Sequence, residues 1–444
     1  MKIRTLLAIA LVAACCGPVF AELQNVEVGG QLRIRGNYFD FDSLGENSFI
    51  EQRTRLNVKA DFTQDVSAFI ELDSYDIWGE DFRSWYLCSN DFRANSVDDV
   101  EMYQAYIEAR NMWGTLLSMR VGRQEIALGN QFLVGVNDKS SLFTGLSFDA
   151  LRLTYGDDNF SIDAIASKLA ENFGDWGEDD VDFYTVYGSY KGIEDIVLDA
   201  YWMLVRDDEG VIGGLVNGGD VHQHTVGLRG AGVVGAFDFD LEAAYQFGSV
   251  YDVPNPWFRF FDRHADVEFD EFAVNAALGY TFDVAWQPRV FANFAYLGGG
   301  DPDDNCWDND RTMPFDRLFS NIQYSEFLDE YTGNNGTLSN VFIYSLGVNV
   351  QPSEAVSLKL LGTYIRADQE LNRCVDDSKE LGWEVGIYGD YNYSEDLVFR
   401  AGYAHFFGDE GLETPPARWS GLIPWQGDKD DNFHYLFIET QISF

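Results

Sequence analysis

After its first 21 positions this 444-residue chain has no long apolar run. A spanning helix needs roughly 18 consecutive apolar residues, so membrane crossing by helices is excluded. Basic residues are few, 30 Lys and Arg against 73 Asp and Glu, a formal charge of −43. Such a balance excludes nucleic acid as a partner, because binding there rests on neutralising phosphates. Histidine is scarce, limited to His222, His224, His264, His405 and His434. A hydrolase needs one of them next to a Ser or Asp. His222-x-His224 sets two rings on one strand face, but no third ligand or nucleophile motif accompanies it. We therefore expect no enzyme and no bound cofactor. Cysteine is also rare: beyond the leader only Cys88, Cys306 and Cys374 occur, an odd number at spacings unlike a metal site. One disulfide would leave one thiol, and spacing does not choose the pair.

The first 21 residues read as an export signal. Lys2 and Arg4 form a basic start, Leu6 to Ala14 an apolar middle, and Val19-Phe20-Ala21 a small-residue cleavage site. Val12-Ala13-Ala14-Cys15 resembles a lipobox and supplies the competing reading. Residues 22–444 are then one exported domain, of formal charge −45 once Lys2 and Arg4 are removed.

Aromatics, at 16%, and glycine, at 42 residues, are plentiful. Aromatic rings suit interfacial girdles, and glycine suits bent strands and tight turns. The pattern is plainest in the last twelve residues, Phe433–Phe444. Leu436, Ile438, Thr440 and Ile442 alternate there with Glu439, Gln441 and Ser443. A period of two with one lipid-compatible and one wet face is a strand signal, and its repetition is the unit of a transmembrane β-barrel. Gln31–Tyr38 and Glu51–Phe62 repeat it. In the second, Leu56, Val58, Ala60 and Phe62 face one way, and Glu51, Arg53, Arg55, Asn57, Lys59 and Asp61 the other. A sandwich, whose inner face is dry, has no place for six polar residues in a row on one face.

About eighteen such segments occur in all, joined by connectors that alternate between short and long. The expected fold is all-β, an up-and-down antiparallel transmembrane barrel with the short turns on one rim. Unpaired backbone groups cost several kcal/mol each in lipid, so the last strand must close against the one that holds Arg33 and Arg35.

If the apolar face of each strand points outward, Arg33, Arg35, Arg53, Arg55, Lys59, Arg110, Arg120 and Arg152 line the lumen. Guanidinium groups make forked, charge-assisted bonds to carboxylates, and rings of Arg or Lys give a pore anion preference. Glu71, Asp73, Glu108, Asp163, Asp199, Asp238, Asp240, Glu242 and Glu384 face inward by the same rule. Two readings stay open: an arginine path for an anionic or saccharide solute, or mutually paired charges in a general diffusion porin. A non-conducting anchor or adhesin is a third class, separable by conductance.

Arg53-Thr-Arg55-Leu-Asn-Val-Lys59-Ala, Val121-Gly-Arg123-Gln-Glu-Ile-Ala-Leu-Gly129 and Ser147-Phe-Asp-Ala-Leu-Arg152-Leu153 resemble blocks of the alginate-export family of outer-membrane barrels. The resemblance implies eighteen strands and an arginine-rich lumen. It implies that Arg53, Arg55, Arg123 and Arg152 are pore arginines, with Arg123-Gln124 opening a loop that folds toward the constriction. The connector from Tyr393 to Asp396 is too short for the pore-closing turn of the family's polysaccharide exporter. The lumen is also richer in acids than a polyuronate path should be. An anion or carbohydrate conduit is thus expected ahead of alginate itself.

The expected location is the outer membrane of a Gram-negative cell, with lipid and lipopolysaccharide around a monomer. The terminal Phe444 fits the address read by the barrel-assembly machinery. The loop Leu297–Asn340 holds Asp301, Asp303 and Asp304, oxygen donors of the kind Ca²⁺ takes. That loop lacks the Gly and terminal Glu of a recognised calcium loop, and its length would let it fold inward and narrow the pore.

Overall fold

A computed structural model describes residues 23–42, 45–78, 100–136, 138, 145–171, 180–207, 220–254, 264–300, 312–331, 338–369, 378–412 and 432–444. Its strands are β1 (Asn25–Phe41), β2 (Gly45–Asp61), β3 (Val66–Ile77), β4 (Glu101–Ala109), β5 (Leu117–Gln124), β6 (Phe148–Gly156) and β7 (Phe160–Ala170). They continue as β8 (Val181–Ile193), β9 (Ile196–Asp207), β10 (Val221–Val234), β11 (Phe237–Pro254), β12 (His264–Thr281) and β13 (Arg289–Leu297). The last are β14 (Thr312–Met313), β15 (Val341–Ser353), β16 (Val356–Ala367), β17 (Glu380–Asn392), β18 (Leu397–Gly408) and β19 (Asn432–Ser443). Eighteen of them form the wall. The two-residue β14 instead lies parallel to β12 at Glu268 and Phe269, while β13 pairs directly with β15.

Each wall strand is antiparallel to its neighbours in sequence order, and β1 pairs with both β2 and β19. The expected closure is therefore found, with Arg33 opposite Gln441 and Arg35 opposite Glu439. Phe444 completes the seam. Its N–H donates to the Gly30 carbonyl at 3.0 Å, and its own carbonyl accepts from Gly30 at 2.9 Å. Gly30 has to be small here, because a Cβ would sit 2.7 Å from the Phe444 ring.

Alternation decides which side chains meet lipid. Leu56, Leu228, Leu346, Val385 and Ile438 are large, apolar and exposed on the outer wall. In water such a surface would be an aggregation hazard; around a barrel it is the lipid band. Among the described residues no helix is long and apolar enough to cross a membrane.

Two expectations need adjustment. The first long-rim connector is nearly absent, because β1 and β2 run on to Phe41 and from Gly45. The lumen, expected wet throughout, has a dry layer towards the long-loop rim, where both strand faces are apolar. There Phe39, Phe433 and Tyr435 pack inward, with Phe39 stacked 4.6 Å from Tyr435.

Two inward-folded connectors fill this layer. Residues 125–136 leave β5 and bury Ile126, Phe132, Leu133 and Val134. Residues 312–331, including the short helix α1 (Glu326–Tyr331), come from the β13–β15 connector. They meet through Gly135 N–H to the Phe319 carbonyl at 2.9 Å and Phe319 N–H to the Leu133 carbonyl at 2.8 Å. Phe319 packs edge-on against Phe148 of β6 and Phe183 of β8. On the far wall Phe327 stacks on Phe406 of β18 at 3.9 Å. The described parts of both connectors fold inward, as the resemblance implied for the first and as length allowed for the second.

Candidate functional site

The lumen arginines concentrate where β18, β19, β1 and β2 adjoin. Register sets Arg33 directly opposite Arg53, Arg35 opposite Glu51, and Arg400 opposite Glu439. Like charges facing each other across a ladder are destabilising, so carboxylates must intervene. Glu439, whose side chain is fully buried, accepts from Arg33 Nε at 2.8 Å, Arg35 Nε at 2.9 Å and Arg400 Nη1 at 2.6 Å. The second carboxylate, Asp138, comes from the inward β5–β6 connector. Its Oδ1 accepts from Arg33 Nη1 at 3.0 Å and Arg53 Nη1 at 2.8 Å, and its Oδ2 from Arg53 Nη2 at 3.1 Å. Burial opposes ionisation of Asp138, but hydrogen bonding and charge from Arg53, with Arg33 and Arg55 behind, hold its carboxyl below the usual range. Arg55 donates to Asp73 at 3.0 Å and lies over the Tyr103 ring at 3.8 Å. Among the described residues, Arg33, Arg35, Arg53 and Arg400 surround Glu439 and Asp138, with Glu51 opposite Arg35 and Asp390 3.9 Å from Arg400.

The remaining predicted residues lie elsewhere on the wall. Arg120 and Arg152 face each other across β5 and β6; Arg120 contacts Glu108 at 3.3 Å, and Arg152 forks onto Asp163. Arg110 sits just past β4 in a short turn, half-exposed and 3.3 Å from Glu108. Lys59 lies near that rim beside Asp61.

Arg123 is a correction. It pairs across the ladder with Ala105 and Asp149 and shares its facing with the exposed Val121, so it points outward. Period two allows Arg120 or Arg123 to face the lumen, not both. The inward side chain at that end of β5 is Gln124, fully buried. Arg123 begins an outer row of charges at one register: Arg123, Asp149, Lys168, Asp182, Arg206 and His222 on six consecutive strands. His224, facing the same way, stacks 5.1 Å from Phe247.

The predicted acids pair with near neighbours and not across the lumen. Asp199 and Asp240 both take Arg229 at 2.7 Å, and Asp238 takes Arg289. Glu242 accepts from Tyr201 Oη at 2.7 Å. Glu384 accepts the backbone N–H groups of Glu326 and Phe327 at 3.0 and 2.9 Å, tying the inward segment to β17. Arg229, Arg289 and Arg400 lie on lumen-facing positions, so alternation alone could have found them. Asp138 carried no signal, since a connector residue has no face to read.

Among the described residues no group of three or more His, Cys, Asp or Glu is placed to hold a metal. Asp301, Asp303, Asp304, the three cysteines and the export signal lie outside the described residues.

The alginate export family model matches residues 24–411. No curated protein sequence matches the chain. Among solved structures, Pseudomonas aeruginosa OpdQ aligns with TM-score 0.56 at 11% identity, covering 96% of this chain and 99% of that one. P. aeruginosa OccK8 (OprE) aligns with TM-score 0.54 at 15% identity, over 94% and 98%. OccK11 (OpdR) of the same organism gives 0.55 and 12%, over 95% and 97%. At these identities the likeness shows the shared barrel fold. The closed eighteen-strand wall, its lipid-compatible exterior and the family match together make this chain an outer-membrane β-barrel of the alginate export family.

Proposed function

We propose that this outer-membrane channel passes a small, carboxylate-bearing solute by diffusion, without chemical turnover. The observation that carries the reading is the convergence of Arg33 and Arg53 on one carboxylate group, that of Asp138, inside the lumen. The site is built to take the forked geometry of a carboxylate. Two mutually bonded segments inside the barrel favour a small solute over a long polysaccharide. Further sites along β5–β7 give a solute several weak stations in place of one tight one, as conduction requires.

A second reading has its own support. The local pairs Arg152–Asp163, Arg229–Asp199 and Arg289–Asp238 satisfy charge within the wall, as a general diffusion porin would. Liposome swelling separates the two. Faster entry of succinate than of a neutral sugar of similar size supports the carboxylate path; rates ordered by size alone support the general porin. We also infer that Phe444 is the address read by the barrel-assembly machinery, and that the barrel works as a monomer ringed by lipid and lipopolysaccharide.

A further inference from the structure

We propose that Asp138 is a tethered competitor: it occupies the arginine site in the resting barrel and gives it up to a solute carboxylate during passage. The inference rests on the carboxylate reading above and adds how that site is regulated.

Asp138 differs from Glu439, the carboxylate that shares Arg33 with it. Glu439 belongs to the wall, and its side chain is fully buried under Arg33, Arg35 and Arg400. Asp138 arrives from a connector, 105 residues from Arg33 and 85 from Arg53. Its side chain keeps 26% of its exposure, while those of Arg33 and Arg53 keep 7% and 1%. The carboxylate therefore covers the guanidiniums from the lumen side, where a solute must approach. Its three contacts, one oxygen shared by two arginines and the second oxygen on Arg53, are ones any carboxylate can reproduce.

The approach is held close to the site. Val136, two residues earlier, is fixed by its N–H to Gln131 Oε1 at 3.1 Å and by Leu146 N–H to its carbonyl at 2.7 Å. The described residues that lead to Asp138 are thus anchored beside the arginine site. A tethered group acts at an effective concentration on the order of millimolar. It weakens every competing carboxylate by the same factor and blocks rebinding once a solute has left, and a conduit that held its solute tightly would not conduct.

The test uses the full barrel in planar bilayers, with succinate as the probe and heat-modifiable gel mobility as the check on folding. Asp138→Asn is expected to lower the succinate concentration that halves chloride current by roughly tenfold, and to move the reversal potential toward anion preference. Asp138→Glu, which keeps a tethered carboxylate, should need more succinate for half-block than Asp138→Asn. Arg53→Gln should raise the half-blocking concentration. If Arg53→Gln weakens the succinate effect while Asp138→Asn matches wild type, the competitor role is overturned and the carboxylate path stands. Should neither variant alter the succinate effect, both fail.

Discussion

Arg123 and Asp149 join through two parallel hydrogen bonds, each 2.8 Å, on the outer wall of the barrel. Both side chains are about half-exposed, so the pair contributes at most about 1 kcal/mol. Arg123→Gln should leave ion selectivity at the wild-type value and refolding yield nearly unchanged. A change in reversal potential as large as that of a lumen arginine variant would put Arg123 back in the pore.

Glu384 anchors the inward segment through two backbone N–H groups. Glu384→Ala strips both of their acceptor, at a cost of about 1–3 kcal/mol for each buried donor left unsatisfied. The wall strands do not depend on this contact. We expect an intact barrel with larger and noisier single-channel conductance; unaltered conductance would mean that the segment is held without Glu384.

Closure makes a prediction at the seam. Gly30→Val places side-chain atoms where the Phe444 ring lies. The β1–β19 junction should then form poorly, seen as loss of the compact, heat-modifiable band on a gel. If Gly30→Val refolds as well as wild type, Phe444 does not depend on that close approach.

The lipid face can be probed at Leu346, in the middle of β15 and exposed. Arginine on the lipid side near the bilayer midplane costs about 2–4 kcal/mol. Leu346→Arg should lower the stability of the refolded barrel in lipid vesicles by that amount. A neutral result would place this position away from hydrocarbon.

Much of this architecture was legible because alternation is a local property. The segments read from the sequence correspond one for one to the wall strands, and Leu436, Ile438 and Ile442 face outward as their spacing implied. Strand ends were read short where apolar residues adjoin on both faces, as at Phe39 of β1 and Phe49 of β2, since little alternation remains there to be counted. The same loss of pattern hid the dry layer. Arg123 was misplaced because the family blocks marked it as a pore arginine, although its parity with Val121 pointed outward. Asp138 was out of reach altogether: its partners lie on strands far off in sequence, and only the closed barrel brings them together.

The most direct test is the reversal potential of the barrel under a potassium chloride gradient, wild type against the double variant Arg33→Gln with Arg53→Gln. An arginine-controlled path predicts a clear shift away from anion permeation with the fold retained. An unchanged reversal potential in a folded, conducting double variant would contradict it.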